Sequence, residues 1–237
     1  MTLRSMLLLA VLTLTAHVVF AQDYPNRPIR LIVPFAAGGG SDFVGRLIGQ
    51  KLTDQMGQTV VVDNRPGAAS LVGTQIAANA AADGYTLLLA DSGFTINIAF
   101  FKDPKYDALK SFDPVSVVAE APYILVVNPG LPYAGSLKEF VAAAKAQPGK
   151  LAIGSAGSGS GTHMIAPALT DNLGRAVVVD NRPGASGSIA MEIAARAAPD
   201  GYTLAIFSVS QVIYAELNKT NYDMIETGGG IIATPSF

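Results

Sequence analysis

Residues 59–87, TVVVDNRPGAASLVGTQIAANAAADGYTL, return at residues 176–204 as AVVVDNRPGASGSIAMEIAARAAPDGYTL, without a gap and at an offset of about 117. Between 53–87 and 170–204 roughly 22 of 35 positions are identical, far more than a shared fold requires. The three valines read as a buried strand. Asn-Arg-Pro-Gly after them reads as a turn, because Pro fixes φ and the Gly that follows tolerates φ > 0. Asp-Gly-Tyr-Thr-Leu reads as a turn entering another strand. The unit is strand–turn–helix–turn–strand, written twice.

The flanking sequence repeats that alternation. Residues 29–35 form a short β-type apolar run, followed by the glycine-rich stretch 36–41. A helix signal then places Phe43/Val44, Leu47/Ile48 and Lys51/Leu52 about four apart. Residues 60–62 read as a strand, 70–81 as a helix with Val72, Ile76 and Ala80 inward, and 86–90 as a strand. Residues 91–114 read as irregular, broken by Pro104 and Pro114. A strand at 124–127, a helix at 137–146 and a strand at 151–154 lead to a second glycine loop, 155–161, and a helix over 162–173. Alternating β and α with short connections predicts an α/β fold with doubly wound, mostly parallel sheets. Two lobes are expected, 22–122 and 123–217, with a crossing near Pro129 and Pro132. In the second, residues 164–207 repeat 47–90. Residues 218–237 read as an irregular tail.

Residues 1–21 stand apart. Arg4 precedes an apolar run beginning at Met6, and Val19-Phe20-Ala21 precedes Gln22. This is the pattern of a secretory signal peptide cut after Ala21. The run is short for a span of about 20 apolar residues and is broken by Thr and His17. The remainder is expected to be exported, without inserting directly in the membrane. Charged residues make up 14% of the chain and the net charge is −2, which points away from nucleic acid or another polyanion as partner. There is no cysteine, hence no disulfide, thiolate metal site or thiol nucleophile; export without disulfides fits a bacterial periplasm. With His17 lost alongside the signal, His163 is the remaining histidine. That excludes a His-rich metal site and leaves a one-histidine triad formally open.

Chemistry is expected at the two strand–glycine–helix junctions, PFAAGGGSD (34–42) and SAGSGSGTH (155–163). Ligands of open α/β sheets bind outside the carboxyl ends of the strands. There a glycine loop can aim backbone N–H groups into a cleft, and the helix N-terminus adds positive partial charge. Two such loops face to face could hold one or two carboxylates; plain tight turns are the alternative. Neither junction matches G-x-x-x-x-G-K-[ST], and Gly157, Gly159 and Gly161 lie two apart, unlike G-x-G-x-x-G. No G-x-S-x-G elbow occurs. No cofactor, metal or catalytic residue is expected.

Several motifs occur together in one order: Tyr24-Pro25-Asn26-Arg27-Pro28-Ile29-Arg30-Leu31-Ile32-Val33-Pro34-Phe35, the Gly-Gly-Gly-Ser-Asp loop, Val62-Asp63-Asn64-Arg65-Pro66-Gly67, Asp83-Gly84-Tyr85-Thr86-Leu87, Phe112-Asp113-Pro114-Val115, and the run from Gly154 to His163. In this the chain resembles the Bug/TctC family, the periplasmic solute-binding receptors of tripartite tricarboxylate transporters. The resemblance implies a two-lobed periplasmic-binding-protein fold that closes on a small carboxylate (a di- or tricarboxylate, amino acid or aromatic acid). It also implies membrane subunits of such a transporter as partners. The ligand-binding residues it implies are Phe35, Ala37, Gly38, Gly39, Ser41 and Asp42 from the first loop, and Ser155, Gly157, Ser158, Gly159, Ser160 and His163 from the second. Ser92 and Thr95 would line the cleft from the first lobe. Asp42 reads equally as a loop-fixing or ligand-contacting group and as a helix N-cap; His163 reads more readily as a first-turn helix residue near solvent.

The resemblance breaks just after His163, where the chain returns to first-lobe sequence, so the second lobe is expected to be incomplete. So many surface identities fit an in-frame fusion of two receptor genes, or a damaged copy, better than an ancient lobe duplication. A fused remnant that folds partly and binds nothing stays open, as does an α/β hydrolase-like enzyme, disfavoured by the missing nucleophile and metal constellations. Export is expected to remove residues 1–21; mass spectrometry of periplasmic protein should find Gln22 first, and an intact N-terminus would contradict the signal reading.

Overall fold

Successive side chains of a strand point to opposite faces. Ile29, Leu31 and Val33 therefore share one face, where they are buried with Val60. They form β1 (Ile29–Val33). In the computed structural model, which describes residues 24–127, 136–147, 150–174, 176–198, 200–222 and 231–233, β1 lies between β2 (Val60–Asn64) and β3 (Thr86–Leu88) in a three-stranded parallel sheet. The signal segment and the expected crossing at Pro129 and Pro132 lie outside the described residues.

Helix α1 (Gly40–Met56) packs on this sheet through a different face from the one its apolar pairs predict. Phe43 and Leu47 are 44% and 53% exposed, whereas Gly45 and Gly49 are buried. A Cβ on Gly45 would lie 2.7 Å from the Val33 side chain, so close approach of helix to strand selects glycine there. The same correction applies to α2 (Leu71–Ala78): Val72 is exposed, and Gly73 and Thr74 turn inward. A third helix, α3 (Gly93–Phe100), occupies part of 91–114, which the sequence left irregular. Its GFTINIAF sequence has no apolar stripe. Tertiary contacts hold it instead: buried Asn97 donates to Ala69 O at 2.9 Å, and Tyr106 stacks on Phe94 and donates to its carbonyl.

The second lobe runs β4 (Tyr123–Val126), α4 (Leu137–Ala146), β5 (Ala152–Ser155), α5 (Gly161–Leu173), β6 (Val178–Asn181), a 3-10 turn (Ala185–Gly187), α6 (Ser188–Arg196), β7 (Thr203–Ser208), α7 (Val209–Leu217) and β8 (Ile231–Ala233). Its sheet order is β6-β5-β7-β4-β8. Strands β6, β5 and β7 are parallel, and β4 is antiparallel to both β7 and β8. β8 corrects the reading of 218–237 as wholly irregular; its pairing with β4 is a long-range contact that no local pattern announces. Leu125, Phe140, Ile153, Leu204 and Ile206 form a core on one face of this sheet, and Val126, Met191, Ala205 and Tyr222 on the other. Apolar cores on both faces make it doubly wound.

The copied unit supplies β6, α6 and β7 of this second sheet, in a lobe that is incomplete, as expected, relative to the solved receptors. In the first lobe Leu31 pairs with Val62 and Leu87. In the second, Ile153 pairs with Val179 and Leu204, the copies of those two residues. The turn is copied as well. Gly67 and Gly184 have φ of 137° and 116°, and Ala68 and Ala185 both have φ of 44°. Arg65–Asp63 and Arg182–Asp180 each close at 2.8 Å. Where Ser70 holds a left-handed φ of 75°, the copy has Gly187 at 87°, which carries no Cβ strain there.

Gly73 gives a direct test of the packing. A Cβ there would lie 2.8 Å from Pro34 Cα and 2.9 Å from Arg65 O, backbone atoms that cannot swing away. Gly73→Ala is expected to cost about 1–3 kcal/mol, lowering Tm by about 2–4 °C per kcal/mol. An unchanged calorimetric Tm would show that the helix–strand approach is slack.

Candidate functional site

Parallel strands end together, so the loops after β1, β2, β3, β5, β6 and β7 gather between the lobes and enclose a cavity of about 600 Å³. Helix N-termini converge on it. Gly40 and Ser41 come from α1, Ser70 from before α2, and Asp91 and Ser92 from before α3; Ser160, Gly161 and Thr162 come from α5, Gly187 from before α6 and Ser208 from before α7. No Lys, Arg or His is among the described residues lining it. Positive potential there comes from the helix N-termini, where first-turn N–H groups have no acceptor within their own helix and the helix dipole adds partial positive charge.

Both glycine loops are built on one device. Gly38 and Gly159 each have φ of 81°. Each donates its N–H to the side chain four residues on, at the third helical position: Gly38 to Asp42 Oδ2 at 2.9 Å, Gly159 to His163 Nδ1 at 3.2 Å. Asp42 is buried and also accepts from Arg46 Nε at 2.9 Å. Burial raises its carboxyl, but Arg46 and the Gly38 amide outweigh that and hold it below the ordinary carboxylate range. Asp42 thus fixes the loop; the N-cap position falls to Gly39, with no side-chain cap bond. In the second loop Ser160 is the N-cap, accepting from His163 N.

Of the residues named from sequence, Phe35, Ser41, Ser92 and Ser160 line the cavity. Ala37, Gly38, Gly39, Asp42, Thr95, Ser155, Gly157, Ser158, Gly159 and His163 are not among the residues lining it. The reasons are local. Ser155 is fully buried and bonds Asn181 Oδ1. Thr95 donates to Ser92 O. Gly159 faces the first lobe, where a Cβ would meet Ala69 at 3.2 Å, and the His163 ring stands edge-on to Phe100 with centroids 5.5 Å apart. Sequence reading missed both Pro-Gly turns, Pro66–Ser70 and Pro183–Gly187, as well as Asp91, Tyr123, Ser208 and Gln211. The strand-end rule would have found most of them, had it been applied to β2, β6 and β7 as well.

Besides the His163–Phe100 contact, two further contacts join the lobes. Ser92 Oγ and Tyr123 Oη are 2.7 Å apart, and α1 packs against α7. Burial, opposed by the Ser92 bond and aided by the charge of Asp91, raises the Tyr123 phenol, which stays neutral. Asp91 is exposed to the cleft and enclosed by protein elsewhere. Its Oδ1 accepts from Gly93 N at 2.9 Å, and desolvation outweighs this and its other hydrogen bonds, raising the carboxyl to about 6.

A Cβ at Gly161 would overlap the Tyr123 hydroxyl and come within 2.7 Å of Ser92 Oγ. Gly161→Ala is expected to separate the lobes. Small-angle scattering should show a larger radius of gyration with an unchanged circular dichroism spectrum; an unchanged radius would show that Tyr123 simply turns aside.

The sequence profile of the tripartite tricarboxylate transporter family receptor, TctC, matches residues 44–174 and again residues 164–235, the second match starting where the repeat begins. Protein BugT of Bordetella pertussis is 40% identical over 161 residues, 67% of this chain and 49% of BugT. A solved structure of the periplasmic binding protein BugD superposes with a TM-score of 0.60 at 32% identity, covering 70% of this chain and 55% of that one. MatC of Rhodopseudomonas palustris, solved with bound malate, superposes at 0.62 and 28%, covering 72% and 58%. The chain spans about half the length of the curated relatives it matches. Among the described residues no helix is long and apolar enough to cross a membrane. The order of motifs, the two-lobed α/β architecture and these matches make the chain a member of the Bug/TctC family of periplasmic solute-binding receptors.

Proposed function

We propose that this chain captures a small carboxylate in the periplasm and presents it to the membrane subunits of a tripartite tricarboxylate transporter. The observation that carries this reading is the interlobe cavity, on which six helix N-termini converge without a cationic side chain among the described residues lining it. Each charge-assisted bond from such an amide contributes about 1.5–3 kcal/mol, so two or three suffice for a small anion. The volume suits a ligand of metabolite size. Lobes meeting through Ser92–Tyr123 and two opposed glycine loops fit hinge closure around that ligand. Malate in MatC is a ligand of this chemical class. Localisation rests on the family and on the signal-like residues 1–21. The proposed role is binding, without chemistry on the solute.

The copied unit bears on whether the site is usable. Pro183, Gly184 and Gly187 of that unit line the cavity opposite Pro66, Gly67 and Ser70, their first-lobe counterparts. The second lobe therefore contributes a wall of the same backbone chemistry.

Thermal-shift titration of the mature protein with a panel of carboxylates tests the reading. A ligand at one hundred times its Kd stabilises by about 2.7 kcal/mol, a rise of about 5–10 °C in Tm for a chain of this size. A flat response to every acid, despite a cooperative melt, would support the remnant that binds nothing.

A further inference from the structure

The cavity that should attract anions contains one carboxylate of its own. Among the described residues lining it, Asp91 alone carries a formal charge at neutral pH. Its Oδ1 holds the turn into α3 by accepting from Gly93 N at 2.9 Å. That turn does not need a charge. Ser208, which stands at the same offset of about 117 just past the end of the copied segment, also lines the cavity and leads into α7 with a neutral side chain. There the side chain of Gln211 reaches back, its Oε1 accepting from Ser208 N at 2.7 Å. The second lobe therefore reaches its helix from the equivalent strand with a neutral residue at the position where the first lobe has a carboxylate. The negative charge at Asp91 requires another explanation.

A carboxylate partly withdrawn from water and without a cationic partner is unfavourable even where amides and hydroxyls bond it. Asp91 shows that cost: desolvation raises its carboxyl to about 6 despite donors from Gly93, Ser70, its own amide and Phe94. Its field also reaches the phenols of Tyr106 and Tyr123, both neutral at this pH. A second carboxylate of a bound diacid, if placed near it, would be repelled; an ammonium would be attracted.

Resting on the receptor reading above, we propose that Asp91 is the specificity-determining residue of this cleft, receiving the protonated amine of an amino acid or similar zwitterion while loop amides hold its carboxylate. The ligand then carries one positive and one negative end, matched to one acidic wall and to a rim of N–H donors. Such a site rejects desamino acids because Asp91 is left unpaired.

Isothermal calorimetry on the mature chain tests this with pairs that differ only in the amine: L-leucine against 4-methylpentanoate, L-phenylalanine against 3-phenylpropionate, and L-glutamate against glutarate. The expected result is at least a tenfold preference for one or more amino acids at pH 7.5. Asp91→Asn keeps an acceptor for the Gly93 amide and should abolish or invert that preference; Asp91→Ser, matching the second lobe, should do the same. For the parent, amino-acid affinity should fall from pH 7.5 to pH 5 as Asp91 takes up a proton, while desamino-acid affinity rises. Equal or tighter binding of the desamino acids, or a preference untouched by both variants, overturns the assignment of Asp91 and leaves the receptor reading standing. Failure of every acid of both kinds to bind overturns the receptor reading itself, and the assignment with it.

Discussion

The molecule depends on how a strand–helix–strand unit docks on a central parallel strand. Leu31 receives Val62 on one side and Leu87 on the other; Ile153 receives the copies of those residues, Val179 and Leu204. A slip of one residue would turn the apolar face of a strand out of the core. Identical register at both places means that both lobes present their strand ends, and the loops that follow, in the same way. The cavity follows from that pairing, because parallel strands in register end along one edge and hand the chain to helices whose N-termini share that edge.

Those N-termini set the electrostatics of the cleft. Backbone donors are neutral, fixed by the fold and cheap to desolvate compared with a lysine or arginine head group. The side chains nearby serve mainly to hold the backbone in place. Asp42 and His163 each anchor a left-handed glycine from the third position of a helix. They reach the same geometry by different chemistry: one uses a carboxylate tied to Arg46, the other a ring nitrogen braced against Phe100. Asp91 departs from this pattern as a charge that faces the cleft.

Much of the architecture was legible in the residues. The valine runs, the Pro-Gly turns and the Asp-Gly-Tyr entries marked the strands on both sides of each repeat, and helix α4 falls on the residues its pattern named. Errors cluster where a helix meets a sheet. Apolar periodicity placed Phe43, Leu47 and Val72 inward, but close approach to Val33 and Pro34 turned glycine faces to the strands instead. Helix α3 escaped notice because nothing in its own sequence favours it; Asn97 and Tyr106 hold it from elsewhere. Four of the fourteen residues named for the site, Phe35, Ser41, Ser92 and Ser160, line the cavity. The glycine-loop signal pointed to junctions of which some residues line the cavity, without resolving which atoms of each loop turn inward.

From the sequence alone came the alternating α/β class, the two glycine junctions, the repeat and the family. All of these rest on local chemistry, namely turn residues, strand-forming runs and the order of motifs. The tertiary structure decided where the copied unit lies, since its apolar faces could in principle fill a place in either sheet. It also decided which face of α1 is buried, and that Asp91, a turn residue with no motif of its own, confronts the second lobe across a shared cavity. Such matters depend on packing between segments more than a hundred residues apart, and on desolvation by both lobes together. No local pattern encodes them, because the free energy of a buried charge or a helix–strand contact is set by neighbours that only the folded chain supplies.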